Sequence, residues 1–410
     1  MTTFPIPLAE TFGQWGMYAI FLVIGFLFGY ALEISGFGDS RKLAAQFYFK
    51  DLTVLKVMFT AIVVAMLGIF LTTALGLLDY NLLWVNPTYL WSGIVGGLVM
   101  GVGFIIGGFC PGTSLVATAT GKLDGIFFTL GVLFGIFLFG ESVGLFEDFF
   151  YSSYMGRFTL MDLFNTSTGV VVLGVLLMAL FMFWGGEKLE QVFGGIKAED
   201  APRWRIAAAG VMVAIAAVIL VIGQPTNADR WNMIADEKQP LLDERHVQIH
   251  PGEALSIRDD NRIKLLLLDV RSEADYNLFH LTDSLYAPLD VLPGTVPDLI
   301  LEPANTVFLV MSNDEHQATE AWKYLVAEGI PNVYILEGGI NNWLKTFLEE
   351  DPSISVKQSS LDKDVLAYDF IAAFGASHHT AYPNASHYGL VFEPKVKLEL
   401  KRAPSSGGCG

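Results

Sequence analysis

The sequence predicts an α-helical multi-pass membrane domain of about six spans, followed by a small α/β domain and a flexible C-terminal tail. The chain of 410 residues is 52% hydrophobic and has a mean hydropathy of +0.47, which is too apolar for an ordinary soluble protein. Apolar residues are concentrated in the first half, whereas strand-like and helix-like runs alternate after Gly223. We therefore predict a membrane domain at 1–223, a linker at 224–243, an α/β domain at 244–350 and a tail at 351–410.

Six apolar stretches are close to the ~20 residues that a helix needs to cross a bilayer, and the fourth of them is the shortest. They cover residues 17–34, 54–78, 89–107, 125–140, 168–184 and 206–222. No Lys or Arg precedes the first stretch, so we do not interpret it as a cleaved signal peptide.

The basic residues near the span ends predict how the chain is oriented. One side carries Arg41, Lys42, Lys50, Lys56, Lys122, Lys188, Lys197, Arg203 and Arg205, and the other side carries Arg157 and Arg230. Because basic residues accumulate on the cytoplasmic side, six crossings place both termini and the α/β domain outside the inner membrane. If the segment around Cys110 re-enters instead of crossing, the orientation reverses.

The third apolar stretch ends in Gly108-Phe-Cys-Pro-Gly-Thr-Ser114, which predicts a broken helix. Pro111 removes a backbone donor and disfavours helical geometry at the residue before it, and Gly112 lets the chain bend. Non-helical backbone at membrane depth is tolerated where protein or a watery cavity satisfies it. A helix that restarts after the break presents free N–H groups and a positive dipole end, which suits an anion. Alternatively, Cys110 is a buried structural cysteine beside a kink.

A weak internal echo relates the first and third apolar stretches at an offset of 76 residues. In that alignment Gly25 corresponds to Gly101, Phe28 to Phe104 and Gly36 to Gly112. Ile34 then occupies the position of Cys110. Two glycine-interrupted segments in corresponding halves are typical of a transporter site between repeats, although membrane helices are rich in glycine in any case.

The part of the chain from Gln224 onward carries 28 acidic and 15 basic residues. An acidic domain of this kind argues against nucleic acid as a partner. Two cysteines in the whole chain exclude a disulfide scaffold. The tail contains His378, His379, His387 and Cys409, whose spacing matches no zinc pattern. We therefore predict solvated histidines, with no metal and no cofactor.

Three motifs in the second half resemble a rhodanese domain, and together they cover about residues 247–348. They are Leu267-Leu-Asp-Val-Arg271, Ala274-Asp-Tyr276 with His280, and Val333-Tyr-Ile-Leu-Glu-Gly-Gly-Ile-Asn-Asn-Trp343. In that family a loop of the form Cys-x-x-Gly-x-Arg follows the central strand. Its cysteine carries a persulfide, and the N–H groups of the loop hold the charge.

The corresponding loop here is degenerate, because Ser312, Glu315 and Gln317 stand at the cysteine, glycine and arginine positions. Serine cannot form a persulfide, and Asp314 and Glu315 would repel a thiosulfate dianion. The resemblance therefore implies a rhodanese-like fold without sulfurtransferase chemistry.

The membrane half resembles the YeeE/YedE sulfur-transport family over about residues 17–185. The matching segments are Ala31-Leu-Glu-Ile-Ser-Gly-Phe-Gly38, Gly107-Gly-Phe-Cys-Pro-Gly-Thr113 and Thr120-Gly-Lys-Leu-Asp124. Members of that family are thought to move thiosulfate-like species across the inner membrane, with cysteines near the pore relaying the substrate through S–S contact. That role is carried over to Cys110 alone, since Ile34 occupies the equivalent position of the first half.

These observations predict a permease in the lipid bilayer for a small sulfur-containing anion, fused to an inactive rhodanese-like binding or docking domain. The predicted substrate site consists of Cys110, Pro111, Gly112, Thr113 and Ser114. Two other functions stay open: a membrane-anchored sulfurtransferase that uses Cys409, and a thiol–disulfide relay. Cys409, on a Gly-Gly hinge, could offer sulfur to the permease or dock a sulfur-carrier protein.

Overall fold

A computed structural model describes residues 4, 6, 8–195, 203–357 and 364–398. The chain forms two compact units, and the boundary between them falls between Gln224 and Pro225. The first unit is helical, and the second contains a parallel β-sheet. The predicted order of a membrane domain followed by an α/β domain is confirmed.

The described part of the first unit contains ten α-helices. They are α1 (Leu8–Ile34), α2 (Ser40–Ala45), α3 (Thr53–Ala74), α4 (Leu90–Gly107), α5 (Pro111–Ala119), α6 (Leu123–Ser142), α7 (Glu147–Phe150), α8 (Leu160–Phe164), α9 (Thr168–Phe193) and α10 (Arg203–Ile222). Within these described ranges, six stretches are long and apolar enough to cross a membrane, and α4 with α5 forms the third of them. Such segments are helical because a helix satisfies its own backbone donors and acceptors without water. The prediction of about six spans is confirmed.

Charged residues pair between the helix ends on one side of this unit. The ion pairs there are Glu33–Lys122 at 3.6 Å, Lys56–Glu190 at 2.5 Å and Glu187–Arg205 at 3.2 Å. At the opposite ends of the helices, the Arg157 guanidinium lies 4.9 Å from the centre of the Tyr80 ring. Three basic residues that the sequence assigned to one side are thus each paired with an acidic residue near a helix end.

Three helices of the first unit share a tightly packed apolar core. Helices α3, α9 and α10 contribute Val63, Leu67, Val172, Leu176, Ala179, Ala216 and Ile219 to it. Gly169 of α9 allows the close approach, because a Cβ atom there would lie 2.6 Å from Leu220 Cα of α10. Small residues let membrane helices pack backbone to backbone in this way.

The second unit is built on a five-stranded parallel sheet of order β1-β5-β4-β2-β3. Its strands are β1 (Gln248–Ile249), β2 (Lys264–Asp269), β3 (Ser284–Tyr286), β4 (Thr306–Met311) and β5 (Val333–Leu336). Its helices are α11 (Asn227–Asp243), α12 (Pro251–Arg258), α13 (Glu273–Leu278), α14 (Leu292–Ile300), α15 (His316–Ala327) and α16 (Gly339–Phe347). The strand β4 is buried along its whole length, as expected for a parallel strand covered on both faces.

The stretch predicted as a polar linker at 224–243 forms helix α11 and packs against α15. The Asn227 side chain donates to Tyr324 O at 3.0 Å and to Glu328 Oε1 at 2.9 Å. The Trp231 ring meets Trp322 edge-on, with the ring centres 6.1 Å apart. The polar composition reflects the solvent-facing side of this helix, so the linker assignment is corrected.

The tail boundary predicted at Asp351 is too early. Residues 351–357 and 364–398, here called the C-terminal strap, contain the antiparallel strands β6 (Ile354–Val356) and β7 (Tyr368–Phe370). Trp343 donates from Nε1 to Thr380 O of the strap at 2.7 Å. Leu366 is 1% exposed and belongs to the apolar core of the unit. Short strands with little periodicity conceal this packing in the sequence.

His378 of the strap is buried, whereas a solvated side chain was predicted. Its Nε2 lies 3.0 Å from Asp351 Oδ2, and its Nδ1 lies 2.7 Å from Thr380 Oγ1. Within the described ranges, no group of three or more His, Cys, Asp or Glu side chains could hold a metal ion.

Candidate functional site

The predicted break separates α4 from α5. Gly108 ends α4 with φ +71° and donates to Phe104 O at 2.8 Å. This left-handed conformation is one that glycine adopts without the steric cost of a Cβ atom. Cys110 is extended, with φ −92° and ψ 166°, and Pro111 opens α5 where its missing N–H costs nothing.

Cys110 caps the new helix through its sulfur. The Thr113 amide donates to Cys110 Sγ at 3.4 Å, and Thr113 Oγ1 lies 3.3 Å from the same sulfur. In return the Cys110 amide donates to Thr113 Oγ1 at 2.9 Å, which completes a reciprocal capping box. The sulfur therefore lies at the positive end of the α5 dipole, and its residue is partly exposed.

The two hydroxyl groups of the predicted site are engaged within the turn. Thr113 is 5% and Ser114 1% exposed, and Ser114 Oγ donates to Pro111 O at 2.7 Å. In this conformation the two hydroxyls stabilise the break, and Cys110, unlike Thr113 and Ser114, is a partly exposed residue.

The first half contains a second break of the same construction. After α1 ends, Gly36 has φ +82° and Phe37 is 3% exposed, and Asp39 then caps α2 by accepting from the Arg41 amide at 3.0 Å. After α4, a left-handed glycine, a buried phenylalanine and a capping Cys110 follow in the same order. Asp39, and not Ile34, therefore corresponds to Cys110. The left-handed glycines Gly36 and Gly108 are 72 residues apart and not 76, and the extra residue Gly38 precedes Asp39.

The two breaks pack against each other. Phe37 and Phe109 belong to one buried cluster with Leu43 and Ala117. A Cβ atom on Gly108 would lie 3.1 Å from Ser40 Cβ, so glycine is required for this approach as well as for its φ. The breaks of both halves thus meet near the charged helix ends.

Helix α6 holds α5 through a second close approach. A Cβ atom on Gly125 would lie 2.4 Å from Ala117 Cβ and 3.0 Å from the Thr118 amide nitrogen. Thr118 Oγ1 and Thr129 Oγ1 are 2.9 Å apart and form a hydrogen bond between the same two helices. No sequence pattern distinguished Gly125 from the other glycines of the membrane half.

The degenerate rhodanese-like loop lies between β4 and α15. Ser312 is fully buried, and its Oγ accepts a hydrogen bond from the Ala318 amide at 3.2 Å. Its carbonyl accepts from the Ile340 amide at 2.9 Å. Gly339 permits this contact, since it has φ +60° and a Cβ atom there would lie 2.4 Å from Ser312 O.

The Leu267-Leu-Asp-Val-Arg271 motif supports this loop through its last residue, Arg271. Arg271 is 1% exposed and forms an ion pair with Asp269 at 2.7 Å. The same guanidinium donates to Asn313 Oδ1 at 3.2 Å and to Phe279 O at 2.6 Å. A buried charge is tolerated here because it is paired and its guanidinium donates four hydrogen bonds.

The acidic residues of the loop have partners of their own. Glu315 accepts from Arg245 at 2.8 and 3.1 Å and from the Gly338 amide at 2.7 Å. Burial is the largest single influence on the pKa of Asp314, and it acts to raise this pKa because it favours the neutral form. The backbone amides of His316, Asp364 and Glu315 together outweigh burial, so the pKa of Asp314 lies below its ordinary value.

The remaining predicted residues are Gln317 of the loop and Cys409 of the tail. The Gln317 amide donates at 2.5 Å to the carboxylate of Asp364, which belongs to the C-terminal strap and which no sequence pattern singled out. Cys409 lies outside the described residues, so the role predicted for it stays a prediction.

Comparison with known proteins assigns a family to each unit. Residues 34–233 match the sulphur transport family, and residues 250–346 match the rhodanese-like domain. The chain is 25% identical over 129 residues to a tRNA uridine(34) hydroxylase of Hamiltonella defensa subsp. Acyrthosiphon pisum (strain 5AT); the match covers 30% of this chain and 36% of that protein. It is 28% identical over 103 residues to the thiosulfate sulfurtransferase GlpE of Pseudomonas fluorescens (strain Pf0-1), covering 25% of this chain and 89% of that one. No solved structure matches.

Proposed function

We propose, for a chain that belongs to the sulphur transport family of YeeE/YedE type and carries a rhodanese-like domain, that it is a membrane permease for a small sulfur-containing anion such as thiosulfate. The observation that carries the proposal is Cys110, a partly exposed residue whose sulfur caps α5 in the break between two apolar helices. An anion is stabilised at such a position by the helix dipole and by the first-turn amides.

In this proposal Cys110 contacts the sulfane sulfur of the substrate, which sulfate lacks. The backbone from Pro111 to Thr113 replaces part of the water around the anion, with Gly112 leaving room for its approach. The hydroxyls of Thr113 and Ser114 join the substrate by exchanging the internal hydrogen bonds that they make here. Selectivity for thiosulfate over sulfate then follows from a sulfur–sulfur contact and not from charge.

Uptake of labelled thiosulfate into cells or vesicles tests the role of Cys110. Cys110→Ser keeps a polar atom at the cap but removes the sulfur contact, so we expect uptake at background level with normal abundance in the membrane. Thr120→Ser, at the end of the same helix and also bonded to backbone carbonyls, is the matched control and should transport normally. Parental uptake by Cys110→Ser would make the cysteine structural.

We assign the rhodanese-like domain a binding or docking role without sulfurtransferase activity. Ser312 supports this assignment, because its Oγ is buried, hydrogen-bonded to Ala318 N and unable to form a persulfide. The full-length protein should not transfer sulfur from thiosulfate to cyanide. Turnover that Cys409→Ser abolishes would favour the alternative, a membrane-anchored sulfurtransferase that uses Cys409, and a sulfur-carrier protein would then be its natural acceptor.

We place the protein in the bacterial inner membrane with the rhodanese-like domain outside. The positions of Lys56, Lys122 and Arg205 near helix ends on one side support this orientation, since basic residues accumulate on the cytoplasmic side. A reporter that is active only in the periplasm should be active when fused after residue 410. Activity of a cytoplasmic reporter at the same position would reverse the assignment.

A further inference from the structure

The carboxylate of Asp364 lies inside the degenerate loop. Its Oδ1 accepts from the Asn313 amide at 2.7 Å and from the Asp314 amide at 3.1 Å, and its Oδ2 accepts from the Gln317 amide at 2.5 Å. Three amides from one short segment therefore converge on a single anionic group. The acceptor comes from the C-terminal strap, 51 residues further along the chain than Asn313.

The loop also grips the backbone of Asp364. Asp314 Oδ2 accepts from the Asp364 amide at 2.9 Å, and Asn313 Nδ2 donates to Asp364 O at 2.9 Å. Asp364 is 9% exposed and has φ +61°, a left-handed conformation that aspartate adopts more readily than most residues. The contact is thus a two-way clasp in which each aspartate accepts from the backbone of the other.

The charge of the clasp is balanced by amides and by the helix dipole. The amides of Gln317 and Ala318 belong to the first turn of α15, where the partial positive charge of a twelve-residue helix is concentrated. Glu315, which the sequence suggested would repel an anion, is occupied by Arg245 and the Gly338 amide instead. The cradle therefore favours negative charge, and Asp364 supplies it.

We propose that this loop is a closed anion cradle, in which Asp364 occupies the place of a small tetrahedral oxyanion such as sulfate or thiosulfate. The carboxylate and the external anion use the same three amides, so their binding is mutually exclusive. Because Asp364 is tethered, its effective concentration is on the order of millimolar or higher, and an external anion enters only when the strap around Asp364 is released. This inference does not depend on what the membrane unit transports.

Hydrogen–deuterium exchange of the peptide spanning residues 312–318, in the purified full-length protein, tests the proposal. In the parent the cradle amides should be protected, and sulfate should not change their exchange. In Asp364→Ala we expect exchange about tenfold faster or more, the factor that losing one hydrogen bond to a charged acceptor brings. Sulfate or thiosulfate, but not chloride at equal ionic strength, should restore the protection.

Asp369→Ala is the matched control, because it removes a strap carboxylate that pairs at 3.6 Å with Lys357 outside the loop; its exchange should equal that of the parent. Protection that persists in Asp364→Ala would show that the carboxylate does not hold the loop. Faster exchange that sulfate fails to slow would show that the loop is no anion site. If Asp364→Ala does not fold, Asp364→Gly decides by the same two criteria, since it also empties the cradle and glycine adopts the positive φ of this position without strain.

Discussion

The Cys110 break and the Ser312 loop share one construction, a turn at the start of a helix whose backbone amides point at a side-chain acceptor. In the break, the Thr113 amide points at a sulfur of the same turn, three residues away. In the loop, the amides of Asn313 and Gln317 point at a carboxylate from a distant segment. The Cys110 break thus satisfies its amide within the turn and leaves Cys110 a partly exposed residue, whereas the Ser312 loop is filled by a distant part of the chain.

The two turns therefore differ in whether their donors are satisfied within the turn or by a remote side chain. A turn that is completed by its own residues can leave its reactive atom accessible, because nothing else is needed to satisfy its donors. A turn whose donors are satisfied by a remote side chain becomes part of the core. Under the proposed function, the Cys110 turn contacts the substrate, whereas the contacts of Ser312 are those of a structural residue.

We expect the largest effect on uptake from a substitution where α6 packs against α5, the helix that follows the Cys110 break. Gly125→Ala would put a methyl group 2.4 Å from Ala117 Cβ and 3.0 Å from the backbone of α5, and overpacking of this kind costs roughly 1–3 kcal/mol. Because the shift displaces the helix that carries Cys110, we expect thiosulfate uptake to fall to background. Gly140→Ala on the same helix meets no atom within 4 Å and should transport normally; equal uptake by the two variants would contradict this account.

In the Ser312 loop, we expect a substitution to lower stability and to leave uptake unchanged. Ser312→Ala leaves the buried Ala318 amide without its 3.2 Å acceptor, a loss that destabilises by about 1–3 kcal/mol. Hydrogen exchange of β4 in the full-length protein should report this loss, while thiosulfate uptake stays at the parental level. Ser256→Ala, at an exposed position of α12, is the control. Loss of uptake in Ser312→Ala without loss of stability would give this serine a direct role in transport.

The smallest effect is a pH dependence of the strap. Hydrogen bonds from Ser353 and then from His378 lower the pKa of Asp351 to about 2, from an unfolded value of about 3.9. A lowered pKa stabilises the folded state above the unfolded pKa, and this contribution is lost as the pH falls from about 4 to about 2. The urea midpoints of the parent and Asp351→Asn should therefore differ at pH 6 and converge near pH 2.

Asp369→Asn is the control for this experiment, because it makes the same change of charge at a mostly exposed position of the strap. Its midpoint should stay close to that of the parent throughout. A difference between the parent and Asp351→Asn that is independent of pH would show that Asp351 acts by packing and not through its charge.

The sequence by itself determined the features that depend on local composition. About six spans follow from runs of apolar residues, since a bilayer accepts only segments that satisfy their own backbone. The break at Cys110 follows from proline and glycine, whose backbone limits are intrinsic to the residue. The strands β2, β4 and β5 and the helices α13 and α15 were predictable because apolar runs alternate with helical periodicity, whereas α14 was not predicted.

Only the tertiary structure decided the features that depend on contacts between distant residues. The sequence predicted a linker where helix α11 forms and a tail where the C-terminal strap forms. Such polar, aperiodic segments gain their order from the surface on which they pack. The correspondence of Asp39 with Cys110 follows from backbone conformation, since the left-handed glycines align at an offset of 72 residues and not at the 76 that the sequence suggested. Asp364 fills the Ser312 loop across 51 residues, and no local pattern encodes a hydrogen bond whose acceptor is brought near by folding alone.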